Sequence, residues 1–563
     1  MTGFFGAGKR FFALFVLFFV LSLRGFASPL VMVSSGVDTL EDLRFIMREA
    51  GLSFTSLTPP FSRDEVLLML ENVDEAALSA PAQEARRRIG DALDPRLLYR
   101  DGTLGLDAHA KLTLEGRLRS NTDLPWIGDG TAADASMPAA VPAFSLPLSF
   151  YFADVLQIYF EPALGVDPFF HENDGRHWTA NVPWEAQRFD LNMPFRTFAA
   201  LGGPWWNFQI GRDKLSFGSG RTGNLAISDT PDYYDFARVS LFSSAFKYSF
   251  LAVQLPLDSG GDNFFASGYG PLDDDELKST TNRYLYLHRL DFRFFKKLSL
   301  GLSEGIMVGN SPVELRYLNP LMVFHSFFAW NDYPHWTAKN GYEGDMAGSL
   351  FSLDIEWAIL PSLALYGQLV MNEFNTSYEQ ENFPDKLPPN GMGYLGGIEY
   401  SRSIGPWSAI FYGEVLYTDP YLYMLSSPFA SFISMRRLSD VGSKDSRRFQ
   451  WIGHPLGRDV LLFALGADLR GGKLRFRGEL SAAIHGEHDI HWDWEKSPDA
   501  VGQRSPSGKA ETRYTALLEA QWQVFSLLRL SASAGGILAL DADHELGKQE
   551  YGGELTLKAA FIY

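Results

Sequence analysis

The 563-residue sequence contains no cysteine. That excludes a disulfide framework, a thiolate nucleophile and cysteine-ligated metal, and it leaves no residue for a lipoprotein anchor. Beyond residue 27 no apolar stretch approaches the roughly 18 residues that a membrane-spanning helix requires. A chain of this sequence that enters a membrane therefore does so as strands. Positive charge is also scarce, with 49 Lys and Arg against 67 Asp and Glu and a formal net charge of −18. This balance argues against a nucleic-acid partner and favours an acidic rim or acidic loops.

Aromatic residues, by contrast, are plentiful: 45 Phe, 23 Tyr and 13 Trp make up 14% of the chain. Mean hydropathy is nevertheless close to neutral, at −0.09. Half-apolar strands flanked by aromatic girdles produce that combination. The last nine residues show it in miniature. Leu555, Leu557, Ala559, Phe561 and Tyr563 form one apolar face, and Thr556 and Lys558 begin a polar one. This suits the closing strand of an outer-membrane barrel and resembles the C-terminal signal that barrel-assembly machinery reads. At the other end, Lys9 and Arg10 precede the apolar run Phe11 to Leu23, and Gly25-Phe26-Ala27 supplies small residues for cleavage. A signal peptide over residues 1–27 is expected rather than an uncleaved anchor.

Residues 28–98 carry a helical pattern. Leu40, Leu43 and Met47 share a stripe that ends at Gly51, Pro59-Pro60 breaks the chain, and Ser62 with Glu65 reads as a capping box before Val66 to Leu70. A third helix is expected over Ala82 to Leu93, with Arg86, Arg87 and Arg88 on a solvated or acid-paired face. So small a unit is weak on its own and is expected to pack against, or into as a plug, the periplasmic end of a barrel. From residue 99 to 563 the period changes to two. Leu104, Leu106, Ala108, Ala110, Leu112 and Leu114 oppose Gly105, Asp107, His109, Lys111, Thr113, Glu115 and Arg117. Leu474, Phe476, Leu480 and Ala482 likewise oppose Lys473, Arg475, Arg477, Glu479 and Ser481. Charge along the whole of one face suits a wet lumen. At roughly 25 residues per strand and connection, this region accommodates about 18 antiparallel strands. Residues 259–279, 324–345, 376–390 and 492–509 read as external loops.

Gly218, Gly220 and Gly223 fall within six residues of the stretch Gly211 to Thr230, a density foreign to an ordinary strand. The ending and the parallel strand of a phosphate-cradling loop are both missing, so a bend inside the barrel is the plainer reading. This stretch, with Gly211, Arg212 and the three glycines, resembles the signature of the Wzi family of outer-membrane capsule-assembly proteins. Phe217 stands where that family commonly has Trp, and Ser219 where it has Pro. Gly453-His454-Pro455-Leu456-Gly457 is similar to the family's Gly-His-x-Leu-Gly segment. Phe61 beside Pro59-Pro60 resembles its helical domain, and Tyr366-Gly367-Gln368 with Gly396-Gly397 resembles two of its strands. The resemblance implies a barrel of about 18 strands closed by periplasmic helices. It further implies a non-enzymatic, cofactor-free lectin that holds capsular or exopolysaccharide at the outer membrane, with that polysaccharide, lipid and the barrel-assembly machinery as partners.

Sugar rings stack on aromatic faces while Asp, Asn, Arg and His bond their hydroxyls. The segment Phe327 to Trp336 is rich in both kinds of residue, and Trp330, His335 and Trp336 are the candidate sugar contacts; an interfacial aromatic girdle is the alternative. His485, Glu487, Asp489 and His491 share a strand face. Neighbours on one strand seldom close a tetrahedron, so an acidic loop is expected there rather than metal. No spacing singles out a nucleophile, and Asp273 to Glu276 reads as a solvated loop. The competing functional readings are a porin or a substrate-specific channel with a plug, which should leave a continuous water path, and an adhesin acting through its loops.

Overall fold

The structure, a computed structural model, describes residues 29–101, 103–124, 140–167, 177–182, 189–258, 280–309, 312–324, 335–337, 343–345, 347–382, 388–425, 429–439, 445–490 and 503–563. The expected signal peptide and Trp330 lie outside these residues. Alternating sequence becomes one antiparallel sheet of 23 strands. Three pairs of those strands are halves of a single interrupted stave: Leu104–Ala108 with Lys111–Arg119, Phe144–Ser145 with Leu148–Phe152, and Leu156–Glu161 with Ala163–Leu164. Two more, Tyr99–Asp101 and Trp178–Ala180, are short flanking strands, which leaves 18 staves. The ring closes where Gln549–Ile562 pairs with Lys111–Arg119, Ile562 opposite Lys111 and Glu554 opposite Arg119.

The connections alternate in length. At one end the staves meet in tight turns, as between Arg283–Phe294 and Leu298–Gly309. There Phe295 and Lys296 take φ of 52° and 60°, and Lys297 N–H donates to the Phe294 carbonyl at 3.0 Å. This is a type I′ turn, whose twist matches that of the strands it joins. The first and last staves also begin and end at this tight-turn end. The long connections lie at the other end.

Side chains alternate accordingly. Along Lys111–Arg119, Leu112, Leu114 and Leu118 are exposed on the outside while Thr113, Glu115, Arg117 and Arg119 are buried within. The sidedness is the reverse of a soluble barrel: the apolar face points out and the charged face in. That is the solution hydrocarbon imposes on a closed sheet, because every strand-to-strand backbone bond is made internally.

The lumen is filled from both ends. Helices α1 (Asp38–Glu49), α2 (Arg63–Leu70) and α3 (Ala80–Leu93) pack on one another through Leu43, Ile46, Met47, Val66, Met69, Ala85 and Ile89. This unit plugs the tight-turn end. Arg48 on α1 reaches Glu356 at 2.8 Å and Glu399 at 2.7 Å on the inner wall, and Arg475 on the wall reaches Asp38 at 2.6 Å. Ser62 caps α2 by accepting from Glu65 N–H at 3.3 Å, but the reciprocal half of the expected capping box does not form. The Glu65 carboxylate turns instead to Lys247 on the wall, where a buried ammonium needs it more than a helix end does. Arg86, Arg87 and Arg88 pair with Glu75, with Glu84 and Asp91, and with Asp42 respectively, as an acid-paired face.

From the long-loop end, the connections 214–233 and 419–459 fold inward. Their Leu215, Phe217, Leu225, Ile227, Leu422, Tyr423, Phe432, Trp451, Ile452 and Leu456 build an apolar core in the upper lumen.

Candidate functional site

The glycine-rich stretch forms the floor of this inner core, where the two glycine-bearing segments of the sequence meet. Gly218 has φ of 134° and Gly223 has φ of 150°. A β-carbon on Gly218 would collide with Gln368 and Asn224, and one on Gly223 would collide with Pro455 and His454. Only glycine gives both the conformation and the approach.

Polar groups then fasten the loop to three staves. Glu414 accepts from Arg221 N–H at 2.8 Å, Thr222 N–H at 2.9 Å and the Tyr366 hydroxyl at 2.8 Å. Gln368 donates to Asn224 Oδ1 at 2.6 Å and accepts from Leu225 N–H at 2.9 Å. The Ser219 hydroxyl donates to Glu356 at 2.8 Å, and Gly218 N–H donates to the Leu57 carbonyl of the plug at 2.8 Å. The loop therefore bridges plug and wall.

His454 lies at the centre. Its Nδ1 accepts from Leu456 N–H at 3.2 Å, which places the proton on Nε2, 3.0 Å from Thr222 Oγ1. Thr222 in turn donates to Glu414. Burial pushes the His454 imidazole down to about 3, so it is neutral at physiological pH. Nearby, burial would lower the Arg221 guanidinium, but Glu41, Glu399 and Tyr412 overcome that and hold it well above its ordinary value. Arg221 donates to Glu41 at 2.9 Å and lies 4.9 Å from the Tyr412 ring.

Beside this cluster is a cavity of ≈ 530 Å³ between the plug, the glycine-rich loop and the staves nearest the barrel seam. Glu41, Arg44, Arg221, Asp468, Arg477, Glu479 and Lys558 line it, together with Ser531 and Ser533. The mixture of both charges with hydroxyls suits water or a polyhydroxylated solute. The charges are largely matched within the protein: Arg477 lies 3.3 Å from Asp468, and Lys558 lies 2.8 Å from Glu115.

Of the residues singled out from sequence, Gly218, Gly220, Gly223 and His454 come together here. Gly453 packs against Tyr423, and Gly457 packs against the Trp451 ring. Gly211 and Arg212 lie apart on stave Trp206–Asp213, where Arg212 grips Asp235 with two bonds of 2.8 Å and sits 3.7 Å from the centre of the Tyr233 ring. His335 and Trp336 belong to a short strand, His335–Thr337, paired with Glu343–Asp345. On the face expected to be an acidic loop rather than a metal site, Glu487 accepts from Lys509 N–H at 3.0 Å, and the Asp489 carbonyl accepts from Arg458 at 2.8 Å. His491 lies outside the described residues, among which no group of three or more metal-ligating side chains occurs. The residues that sequence reasoning missed are Arg48, Glu356, Glu399 and Glu414, whereas Gln368 stood in the Tyr366-Gly367-Gln368 stretch singled out from sequence. All but Arg48 are inward positions of wall staves, so two-residue alternation was the signal that could have found them.

A closed antiparallel barrel with an apolar exterior, a charged lumen and tight turns at one end only is a transmembrane β-barrel of the outer-membrane type. No protein-family model matches the sequence, and no curated protein matches it. Among solved structures the fold is similar to Wzi, an outer-membrane protein involved in group 1 capsule assembly in Escherichia coli and described as a carbohydrate-binding β-barrel. The two share 16% identity over 94% of this chain and 98% of that one, with a TM-score of 0.57. Weaker similarity extends to a variant of OccD1 (OprD), at 9% identity over 84% and 99% of the chains and a TM-score of 0.39. The outer-membrane channel DcaP of Acinetobacter baumannii follows, at 10% identity over 83% and 99% and a TM-score of 0.34. At such identities the likeness to Wzi is a likeness of fold.

Proposed function

We propose that this protein is a non-enzymatic outer-membrane barrel that binds and holds a capsular or exopolysaccharide at the cell surface, with its helical unit in the periplasm and its long loops outside. The observation that carries this reading is a lumen occupied from both ends, with a cavity left beside the seam staves. Helices α1 to α3 enter from one end, connections 214–233 and 419–459 enter from the other, and the glycine-rich loop bonds to both plug and wall. A diffusion channel needs a continuous water path, whereas a surface lectin is served by a rigid platform beneath its loops. The similarity of fold to Wzi supports the same reading. Sugar contacts are assigned to Trp330, His335 and Trp336 on the long connection that follows stave Leu298–Gly309.

Deleting the gene in its own organism and comparing cell-bound with released polysaccharide tests the proposal. A thinned coat, with polymer shed at normal total synthesis, is the expected result. An unchanged coat, together with stepwise ion conductance of the purified protein in planar bilayers, overturns it in favour of a channel.

A further inference from the structure

Staves Phe246–Gln254, Arg283–Phe294 and Leu298–Gly309 turn odd-numbered side chains to the plug: Lys247 pairs with Glu65, and Asp291 accepts from Ser56 at 2.8 Å. Their even-numbered side chains therefore face outward, where lipid demands apolar residues. Near the tight turns that demand is met by the exposed Leu290, Phe292, Phe294 and Leu302. Level with Leu290 it is broken by Tyr248, and one pair higher by His288 and Glu304, which lie directly opposite each other across the ladder. A carboxylate and an imidazole facing hydrocarbon are costly.

The segment 312–324 covers Tyr248 and His288. It folds back over the outside of the barrel, where Tyr317 stacks on Tyr286 at 5.2 Å, Phe324 stacks on His288 at 4.5 Å, and the Tyr248 hydroxyl donates to the Pro320 carbonyl at 2.7 Å. Tyr317 and Phe324 are fully buried there and form a separate apolar core with Tyr286, Ile306 and Val308.

We propose that residues 312–324 are a membrane-immersed flap, which seals the polar outer sector of the wall from lipid and presents Leu315 and Leu321 to the acyl chains. Three observations converge on this. The first is depth. Tyr248 is level with Leu290, and Leu290 is four residues above the end of its stave at Phe294. On a tilted strand that is about 10 Å from the tight-turn end, within an apolar band about 25 Å tall.

The second is backbone satisfaction, which irregular chain at membrane depth requires. From residue 317 to 322 every N–H is paired: Tyr317, Leu318, Asn319 and Met322 donate to the carbonyls of Glu314, Leu315, Arg316 and Asn319, and Leu321 donates to the Asn319 side chain. Pro320 has no N–H, and its carbonyl is the one held by Tyr248.

The third is the outward face. Leu315 is 85% exposed and Leu321 88% exposed. The two charges of the segment, Glu314 and Arg316, neutralise each other at 2.6 Å, and because Leu290 and Leu302 on the same outer face of the barrel are lipid-facing, acyl chains rather than a second protein are the cover assigned to these leucines.

The absence of native cysteine makes the test direct. Single-cysteine variants Leu315→Cys and Leu321→Cys of the full chain are folded into vesicles, labelled with bimane and quenched with lipids brominated in the acyl chains. Leu302→Cys on the barrel belt and Leu546→Cys in a long connection serve as references. Quenching within twofold of the Leu302 site supports the flap. Quenching as weak as at Leu546 in a monomeric protein overturns it by placing the segment in water. The same weak quenching in a protein that sizes as an oligomer overturns it by placing the segment beneath a second copy. Val313→Cys and Val323→Cys repeat the measurement should either leucine variant fail to fold.

Discussion

The guanidinium of Arg48 donates to the carboxylate of Glu399 at 2.7 Å across 351 residues of sequence, and both side chains are wholly buried. Glu356 occupies a second edge of the same guanidinium at 2.8 Å. One arginine on α1 thus neutralises two acids of the inner wall. A buried ion pair adds little net stability over an apolar substitute, but removing one partner strands the other at a cost of about 3–5 kcal/mol.

Arg48→Met therefore loosens the plug without dissolving the sheet, whose ladder it does not touch. The expected result is protease cleavage within residues 29–98 of detergent-folded protein under conditions where the native chain resists and the barrel retains its heat-modifiable migration. Arg48→Lys is expected to fall between the two, because a point charge cannot reach both carboxylates as a planar fork does. Full protection in Arg48→Met would show that the helices are held by their remaining contacts with the wall, without this ion pair.

Gly218 and Gly223 make a second prediction. Valine at either position meets a conformational cost of about 1–3 kcal/mol and an overpacking cost of similar size. The yield of folded barrel is expected to fall severalfold for Gly218→Val and Gly223→Val. Gly116→Ala and Gly396→Ala, where an added β-carbon meets nothing within 4 Å, are the neutral comparisons. Native yield of the valine variants would remove the glycine-rich loop from the list of assembly determinants.

His454 ties loop integrity to pH. Its ordinary value is 6.5, and burial takes it to about 3 in the folded protein. Between those values the unfolded loop binds a proton that the folded loop refuses. The stability contributed by the neutral ring is complete above pH 6.5 and is lost as pH falls towards 3, at about 1.4 kcal/mol per unit. Hydrogen exchange over residues 216–228 and 451–458, corrected for intrinsic rates, is expected to accelerate from pH 7 to pH 4.5 in the native chain. A His454→Gln variant showing the same acceleration would assign the effect to another group.

The staves were legible in the sequence because the rule that makes them is local. Alternation at Leu104 to Arg117 and at Lys473 to Ala482 separates outside from inside without knowledge of any partner, and stripe and cap signals did the same for the three helices. What pairs across the lumen was not legible. Arg48 finds Glu356 and Glu399 only once ten or more staves have closed around it, and Glu65 leaves its expected cap for Lys247, which nothing near it in sequence announces. The glycine-rich loop and the Gly453 to Gly457 segment were each visible, but their contact through Gly223, His454 and Pro455 depends on two loops folding inward. The outward-facing His288 breaks alternation where Phe324 of a neighbouring segment covers it, an exception that periodicity alone has no means to foresee.

Sugar recognition by Trp330, His335 and Trp336 predicts a graded loss. Removing one stacking ring at a recognition surface typically costs about 1–2 kcal/mol, a drop of about five- to thirtyfold in affinity. Alanine at each position should therefore weaken retention of purified polysaccharide on whole cells while leaving the amount of folded barrel unchanged. Undiminished retention in all three variants would move the binding surface to another long connection.

Arg436 carries the final prediction, because it joins three long connections at once. It bonds Asp167, Asp190 and Asp232, the last at 2.9 Å, together with the Asn192 carbonyl at 3.0 Å. Asp167 and Asp190 lie between staves Ala163–Leu164 and Arg196–Gly203, Asp232 lies before Tyr234–Phe242, and Arg436 lies before Val460–Gly471. Arg436→Ala removes the cation shared by three buried carboxylates, leaving Asp232 its longer pair with Arg448 at 3.7 Å, and the resulting repulsion favours parting of the connections. Cleavage by protease added to intact cells should then appear in residues 164–195, with native resistance at the tight-turn end. Polysaccharide retention should fall in parallel if the loops must hold one arrangement to present their sugar contacts. Cleavage without loss of retention would mean that the binding loop keeps its shape independently of this clasp, and would confine the sugar site to the connection that carries Trp336.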